Sequence, residues 1–306
     1  MATRHTYAST DDLRDYLAGT TYASGWTSDA GVLRRIVEAA SARIDHHVGM
    51  QSFGPRTETR YFDMGLGSLR DTPQLLYPMK NYSTIGVGEV LKAAVPLDAW
   101  LISATTITSY DATDRSTSET LTEGYANDYF LEPYNTNPKV RIKLNEDTAK
   151  AFNAGQQTLS ILGEWGYGND TLIITTADAV GSTTATSVSV SSASDLGPAE
   201  TILVDSEQLY ITSISGNTLT VERGVNGTTA ATHSGGVNVS TYEYPPLVVS
   251  ACLDLGRVFF RDRDSANTPL QYPYSASTPP SDFDSVAILS SLDRYRSISV
   301  TSEVYF

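Results

Sequence analysis

Few residues in this sequence are of types that do chemistry. Histidine occurs at His5, His46, His47 and His233, and Cys252 is the single cysteine. His46 and His47 are adjacent, but a zinc site needs further Cys or His ligands at short fixed spacings, and none lies nearby. The pair reads instead as the end of a helix, where the helix dipole favours such side chains. Cys252 lies in an apolar run and reads as a small buried hydrophobe, and a lone cysteine excludes a disulfide within the chain. Asp262 with Asp264, and Asp282 with Asp284, are paired carboxylates in polar surroundings. Nothing beside them would raise a carboxyl into the range of a general acid, so they read as solvated helix ends. The nucleophile elbow Gly-x-Ser-x-Gly, the His-Glu-x-x-His zinc motif, glycine-rich phosphate loops and the Asp-x-Asp-x-Asp-Gly calcium loop are absent. The expectation is a protein that is not an enzyme, with no catalytic residue, no cofactor and no metal.

Charge narrows the partners. The chain has 306 residues and a formal net charge of −14, with a pI near 4.6. Such a balance argues against wrapping DNA or RNA by neutralising phosphates. It is compatible with a wall past which a polyanion slides without sticking. The first residues, Met-Ala-Thr-Arg-His-Thr-Tyr, hold no apolar run of the signal-peptide kind, so the reading expects folding in a cytoplasm. No stretch is long and apolar enough for a bilayer, and no membrane partner is expected.

The elements that must position these side chains centre on Tyr244–Asp264. Two prolines open that stretch, and proline suits the first turn of a helix. Val248, Cys252, Leu255 and Phe259 follow at spacings of four, three and four, with Leu247, Val249, Leu253 and Phe260 around them. A helix apolar nearly all round is a buried one, so Pro246–Arg263 reads as a central core helix. Ser9–Ala18 starts with Ser9 as N-cap and Asp12 three residues on. Asp29–Val48 carries the stripe Leu33, Ile36, Val37, Ala40, Ile44 and Val48. Phe283–Tyr295 is a last short helix.

From Thr57 to Gly168 the period becomes two. Thr59–Phe62, Leu101–Tyr110, Tyr129–Leu131, Val140–Leu144 and Thr158–Gly163 read as strands of a small antiparallel sheet. From Asp170 to Tyr242, Ser, Thr, Ala, Gly and Val dominate and Arg223 is the only Lys or Arg. The pairs Val188/Val190, Ile202/Val204, Leu209/Ile211 and Leu219/Val221 alternate, Gly216-Asn217 marks a hairpin, and Arg223–Gly227 marks another turn. This block reads as an inserted all-β module that folds by itself, with Ala177–Ala185 loose. The fold class expected is α+β: a helical bundle around a buried central helix plus a small antiparallel sheet, with the inserted module. The domains expected are residues 1–169 with 244–296, the module at 170–243, and an extended tail at 297–306.

The order of elements resembles the head–tail connector (adaptor) family of tailed bacteriophages. Two N-terminal helices lead to Arg60-Tyr61-Phe62-Asp63, then Asp128-Tyr129-Phe130-Leu131-Glu132-Pro133, then the basic strand Lys139–Leu144. Next come Glu164-Trp165-Gly166-Tyr167-Gly168, the Pro-Pro helix with its Arg/Asp run, and Leu292 with Arg294-Tyr295-Arg296. The resemblance covers residues 8–168 and 244–296. It implies a structural virion protein at the neck, in a twelvefold homo-oligomeric ring beneath the portal protein. A tail-side neck or stopper protein would lie below, with DNA passing through without specific binding. The family passes directly from the Gly-Tyr-Gly strand to the Pro-initiated helix, so the inserted block is a departure. Its run from Val221 to His233 is similar to a β-module of phage virion proteins. The alternative function is a tail-associated β-rich module that recognises a cell-surface glycan, with tyrosines as stacking platforms. At the end of the chain, Ile298, Val300, Val304 and Phe306 share one side of an extended pattern. Together with Arg294 and Arg296 they are the expected contact with the portal or a neighbouring copy, through strand addition.

Overall fold

The computed structural model describes residues 4–18, 30–49, 51–64, 90–91, 95–111, 115–145, 147–153, 155–265 and 281–296. It divides into two compact units. One is formed by Met1–Gly54 with Asn169–Arg296, the other centres on Pro55–Gly168.

The second unit is a twisted antiparallel sheet. Its strands are β1 (Arg56–Met64), β3 (Val95–Tyr110), β4 (Ser118–Leu121), β5 (Tyr129–Glu132), β6 (Lys139–Leu144) and β8 (Gly155–Trp165). They lie in the order β1-β8-β3-β6-β5, with β4 on the far half of β3, and a two-stranded ribbon pairs β2 (Val90–Leu91) with β7 (Phe152–Asn153). The core is built from Phe62, Leu101, Ile107, Leu131, Ile142, Leu159, Ile161 and Trp165. Period-two alternation places these on one face, and along β1 Arg56, Glu58 and Arg60 continue that face as a half-buried, ion-paired rim.

The first unit joins a helix layer to another six-stranded sheet. The helices are α1 (Thr10–Ala18), α2 (Ala30–His47), α3 (Pro246–Ser265) and α4 (Ser281–Ser290), followed by a 3₁₀ turn at Asp293–Tyr295. Ser9 and Asp12 form the expected reciprocal cap: the Ser9 amide donates to Asp12 Oδ2 at 2.8 Å and the Asp12 amide to Ser9 Oγ at 3.0 Å. The strands are β9 (Thr171–Ala177), β10 (Ser187–Ser189), β11 (Thr201–Val204), β12 (Glu207–Ser215), β13 (Thr218–Glu222) and β14 (Val237–Tyr242), in the order β10-β13-β12-β11-β14-β9. The sheet curls until its edges meet at one end, where Ala177 bridges Val190. Val188, Val190, Ile202, Val204, Leu209, Ile211, Leu219 and Val221, the residues picked out by alternation, all face its core. The Ala177–Ala185 segment is not loose throughout: Val180 is buried and exchanges both backbone hydrogen bonds with His233, at 2.9 and 3.0 Å.

One expectation is corrected. The protein is mostly β, with two six-stranded antiparallel sheets and four α-helices among the described residues, and is not a helical bundle around a central helix. The physical reason lies in α3. Its buried stripe is Val248, Ala251, Cys252, Leu255, Val258 and Phe260, while Leu247, Val249, Leu253 and Phe259 are only half-buried and Arg257 is exposed. The helix is amphipathic, so one layer covers it: α1, α2 and α4 pack there. Gly256 allows the closest approach, since a Cβ at that position would lie 2.9 Å from Leu13 Cδ1 of α1. The helices fall in one compact unit with strands β9–β14.

The buried phenylalanine of α3 is Phe260, at 2% exposure, and not the expected Phe259. Phe260→Ala should therefore cost roughly 3–5 kcal/mol, as a large-to-small core change. Phe259→Ala should cost about 1 kcal/mol, in the range of ordinary substitutions. Urea unfolding of both variants checks the order.

Candidate functional site

The side chains capable of chemistry converge in the first unit, in two buried polar networks. The first begins with Glu207, which opens β12 after the Asp205-Ser206 turn. Its side chain is 0% exposed and that of its partner Arg223 is 6% exposed. Arg223 donates from Nε to Glu207 Oε1 and from Nη2 to Oε2, each at 2.7 Å, a bidentate pair. The backbone amides of Gly224 and Ala231 donate to the same carboxylate at 3.0 and 2.9 Å. Arg223 spends its remaining donors on the carbonyls of Ser182, Ala185 and Ala231. His233 sits between two carboxylates, Nδ1 at 2.7 Å from Asp205 Oδ2 and Nε2 at 2.9 Å from Glu207 Oε2. The ring therefore bridges the Asp205-Ser206 turn to the buried carboxylate that Arg223 neutralises. Burial pushes the Glu207 carboxyl up, but Arg223, the Ala231 amide and His233 outweigh it and hold it at about 2.

The second network anchors the segment before α1. Residues 5–10 are buried although most are polar. The Arg4 amide donates to Asn226 Oδ1 at 2.7 Å, which turns the amide nitrogen toward His5 Nε2 at 3.0 Å and Gln208 Oε1 at 2.7 Å. His5 Nε2 must then accept, so the proton resides on Nδ1, 3.0 Å from the Tyr244 hydroxyl. A Cβ on Gly54 would lie 2.3 Å from that ring nitrogen, so only glycine lets the backbone pass there. Thr6 Oγ1 donates to Ala199 O, and Thr201 Oγ1 to Arg4 O. The Thr10 amide donates to Pro198 O at 2.9 Å. On the helix side the Tyr7 amide donates to Ser41 Oγ at 3.1 Å and the Tyr7 hydroxyl to Asp45. The rings of Tyr7, Phe53, Tyr244 and Tyr295 meet edge to face. Tyr210 of β12 donates to Glu38 of α2 at 2.6 Å, and Arg4 pairs with Glu222 at 3.0 Å.

Chemically these networks are closed. Cys252 is buried against Ser41, and burial raises its thiol to about 11, so it stays a neutral thiol rather than a nucleophile. Among the described residues no group of three or more His, Cys, Asp or Glu side chains could hold a metal ion. No helix among them is long and apolar enough to cross a membrane. His47 contacts Asp293 at 2.9 Å and His46 is exposed. Asp262 pairs with Arg261 at 3.5 Å, and the side chains of Asp264, Asp282 and Asp284 lie outside those described.

Of the expected contact residues, Arg294 lies over the neighbouring Tyr295 ring at 5.8 Å and Arg296 pairs with Asp293 at 3.7 Å. Ile298, Val300, Val304 and Phe306 lie outside the described residues. The sequence reading missed both networks. One signal was available for the first: Arg223 and His233 are the only cationic or imidazole side chains between Asp170 and Tyr242. A lone cation in so polar a block must be solvated or paired, and its alternating surroundings favour pairing. No family model matches the chain, and no curated protein or solved structure shows significant similarity to it.

Two carboxylates yield opposite pH responses. Glu207 is depressed from 4.5 to about 2, so its stabilisation is present above pH 4.5 and is lost as pH falls toward 2. Glu207→Gln should cost roughly 3–5 kcal/mol at neutral pH, because Arg223 is left buried without its counter-charge. It should also flatten the acid limb of a stability–pH curve. Glu200 accepts from the Gly197 amide at 2.9 Å beside the start of α1. Burial raises its carboxyl to about 7, Asp12 and Asp11 push the same way, and the Gly197 bond opposes them. The folded state therefore holds the proton more tightly than the unfolded chain, and stability falls as pH rises from 4.5 toward 7. Glu200→Gln should remove that fall and raise stability at pH 8, by about 2 kcal/mol. Thermal unfolding across pH 3 to 8 measures both slopes.

Proposed function

We propose that this chain is a structural part of a tailed-bacteriophage neck: a head–tail adaptor without chemistry of its own. It forms a ring of copies under the portal protein, meets a tail-side neck or stopper protein below, and lets DNA pass. The observation that carries this reading is the order of elements. Two helices precede an antiparallel sheet whose strands β1, β5, β6 and β8 contain Tyr61-Phe62, Tyr129–Glu132, Lys139–Leu144 and Trp165. A Pro-initiated helix, a short helix and a basic turn at Arg294–Arg296 then follow. The closed state of both polar networks supports it as well, since groups that spend their hydrogen bonds on one another are not poised for a substrate. The net charge of −14 suits a passage for DNA, because a like-charged wall does not trap phosphates.

Electron cryomicroscopy of virions that carry this chain tests the proposal. Density for many copies in a ring between portal and tail, of the twelvefold order that the resemblance implies, is the expected result. A location at the tail tip, together with a positive glycan-array signal, would replace this reading with the glycan-binding one.

A further inference from the structure

The sheet of the first unit has an open edge. Among the described residues its edges meet only at Ala177 and Val190, where the Ser191 amide donates to Thr176 O and the Asp178 amide to Ser189 O, each at 2.9 Å. Toward its N-terminus β9 pairs, among the described residues, with β14 alone. The Glu243 amide donates to Asp170 O at 2.9 Å, so Asp170 turns its backbone inward to β14. By the alternation of an antiparallel ladder, Thr171 and Ile173 then turn their N–H and C=O groups outward. Leu172 and Ile173 are 53% and 59% exposed.

Exposed strand edges are ordinarily guarded by charge, proline or brevity. This protein guards its other sheet in that way: the edge strand β1 carries Arg56, Glu58, Arg60 and Asp63. β9 carries no charge and no proline across Thr171–Ala177. The same molecule thus protects one edge and leaves another ready to pair.

We propose that the Thr171–Ile174 edge receives residues 297–306 of a second copy as an added strand. The donor has the matching pattern, with Ile298, Val300, Val304 and Phe306 on one side and no glycine or proline. Charge fits too. Arg294 and Arg296 precede the donor, while Asp170 and Glu243, both exposed, flank the start of β9. Donor and acceptor are different surfaces, so the contact is heterologous, the type that closes rings. The inference deepens the ring reading above and rests on it for the choice of a second copy over the chain's own tail.

Two full-length variants test it by sedimentation at micromolar concentration. Ile173→Lys spoils the acceptor, and Val300→Lys with Val304→Lys spoils the donor. The wild-type chain should associate, and each variant alone should sediment as a monomer. An equal mixture of the two should form one-to-one pairs, since one supplies an intact tail and the other an intact edge. A monomeric wild type, a variant that associates as well as wild type, or a mixture that stays monomeric would overturn the proposal. Pairing of the tail with its own chain would give this last result. Each of these outcomes concerns the strand contact alone, whereas virion imaging decides the neck assignment, so the two can fail separately.

Discussion

The first unit depends on a segment that precedes its first helix. Residues 5–10 run between the helix layer and the β9–β14 sheet of the same unit, buried, with polar groups paired on both sides and the Thr10 hydroxyl the exception. Arg4, Thr6 and Thr10 bond to Asn226, Ala199 and Pro198 on the sheet side, and Tyr7 bonds to Ser41 and Asp45 on the helix side. Buried polar groups are costly unless they are satisfied, so each of these bonds is needed for the others to be tolerable. The β-module is therefore not an independent appendage. Excising it would strand His5 and Thr6 without Asn226 and Ala199, and would open Tyr210–Glu38 and Arg4–Glu222 as well.

The run from Val221 to His233, distinctive in the sequence, works inward. Arg223 neutralises Glu207, His233 bonds to it, and Arg223 ties the Ser182–Ala185 loop and the Ala231 carbonyl to β12. Asn226, in a left-handed conformation at φ 56°, presents its amide to the N-terminal segment. Such a network fixes one arrangement of loops, because any slip leaves a buried charge unpaired. The residues that look most reactive are the ones that hold the fold.

The legible part of this protein was the local part. Alternation picks out the strand residues from Val188 to Val221, and the Ser9–Asp12 cap and the start of α3 at Pro246 follow from residue chemistry over a single turn. The count of apolar residues in Pro246–Arg263 misled, because spacing alone does not tell a half-buried Leu253 or Phe259 from a buried Phe260. That error made one amphipathic helix look like the axis of a bundle. The strand β4 carried too little pattern to be seen, with Ser118 to Thr120 exposed and Leu121 alone inward. The networks were illegible for another reason: Arg4 to Asn226 and Glu38 to Tyr210 are contacts between distant parts of the chain, and nothing in a local window marks them.

Amide hydrogen exchange at the N-terminal segment tests the central claim most directly. Exchange at Arg4, Tyr7 and Thr10 reports whether these amides open with the sheet or apart from it. The account predicts protection equal to that of β11 and β12, lost only on global unfolding of the unit. Rapid exchange at these three amides, with the strands still protected, would show a frayed terminus and contradict it.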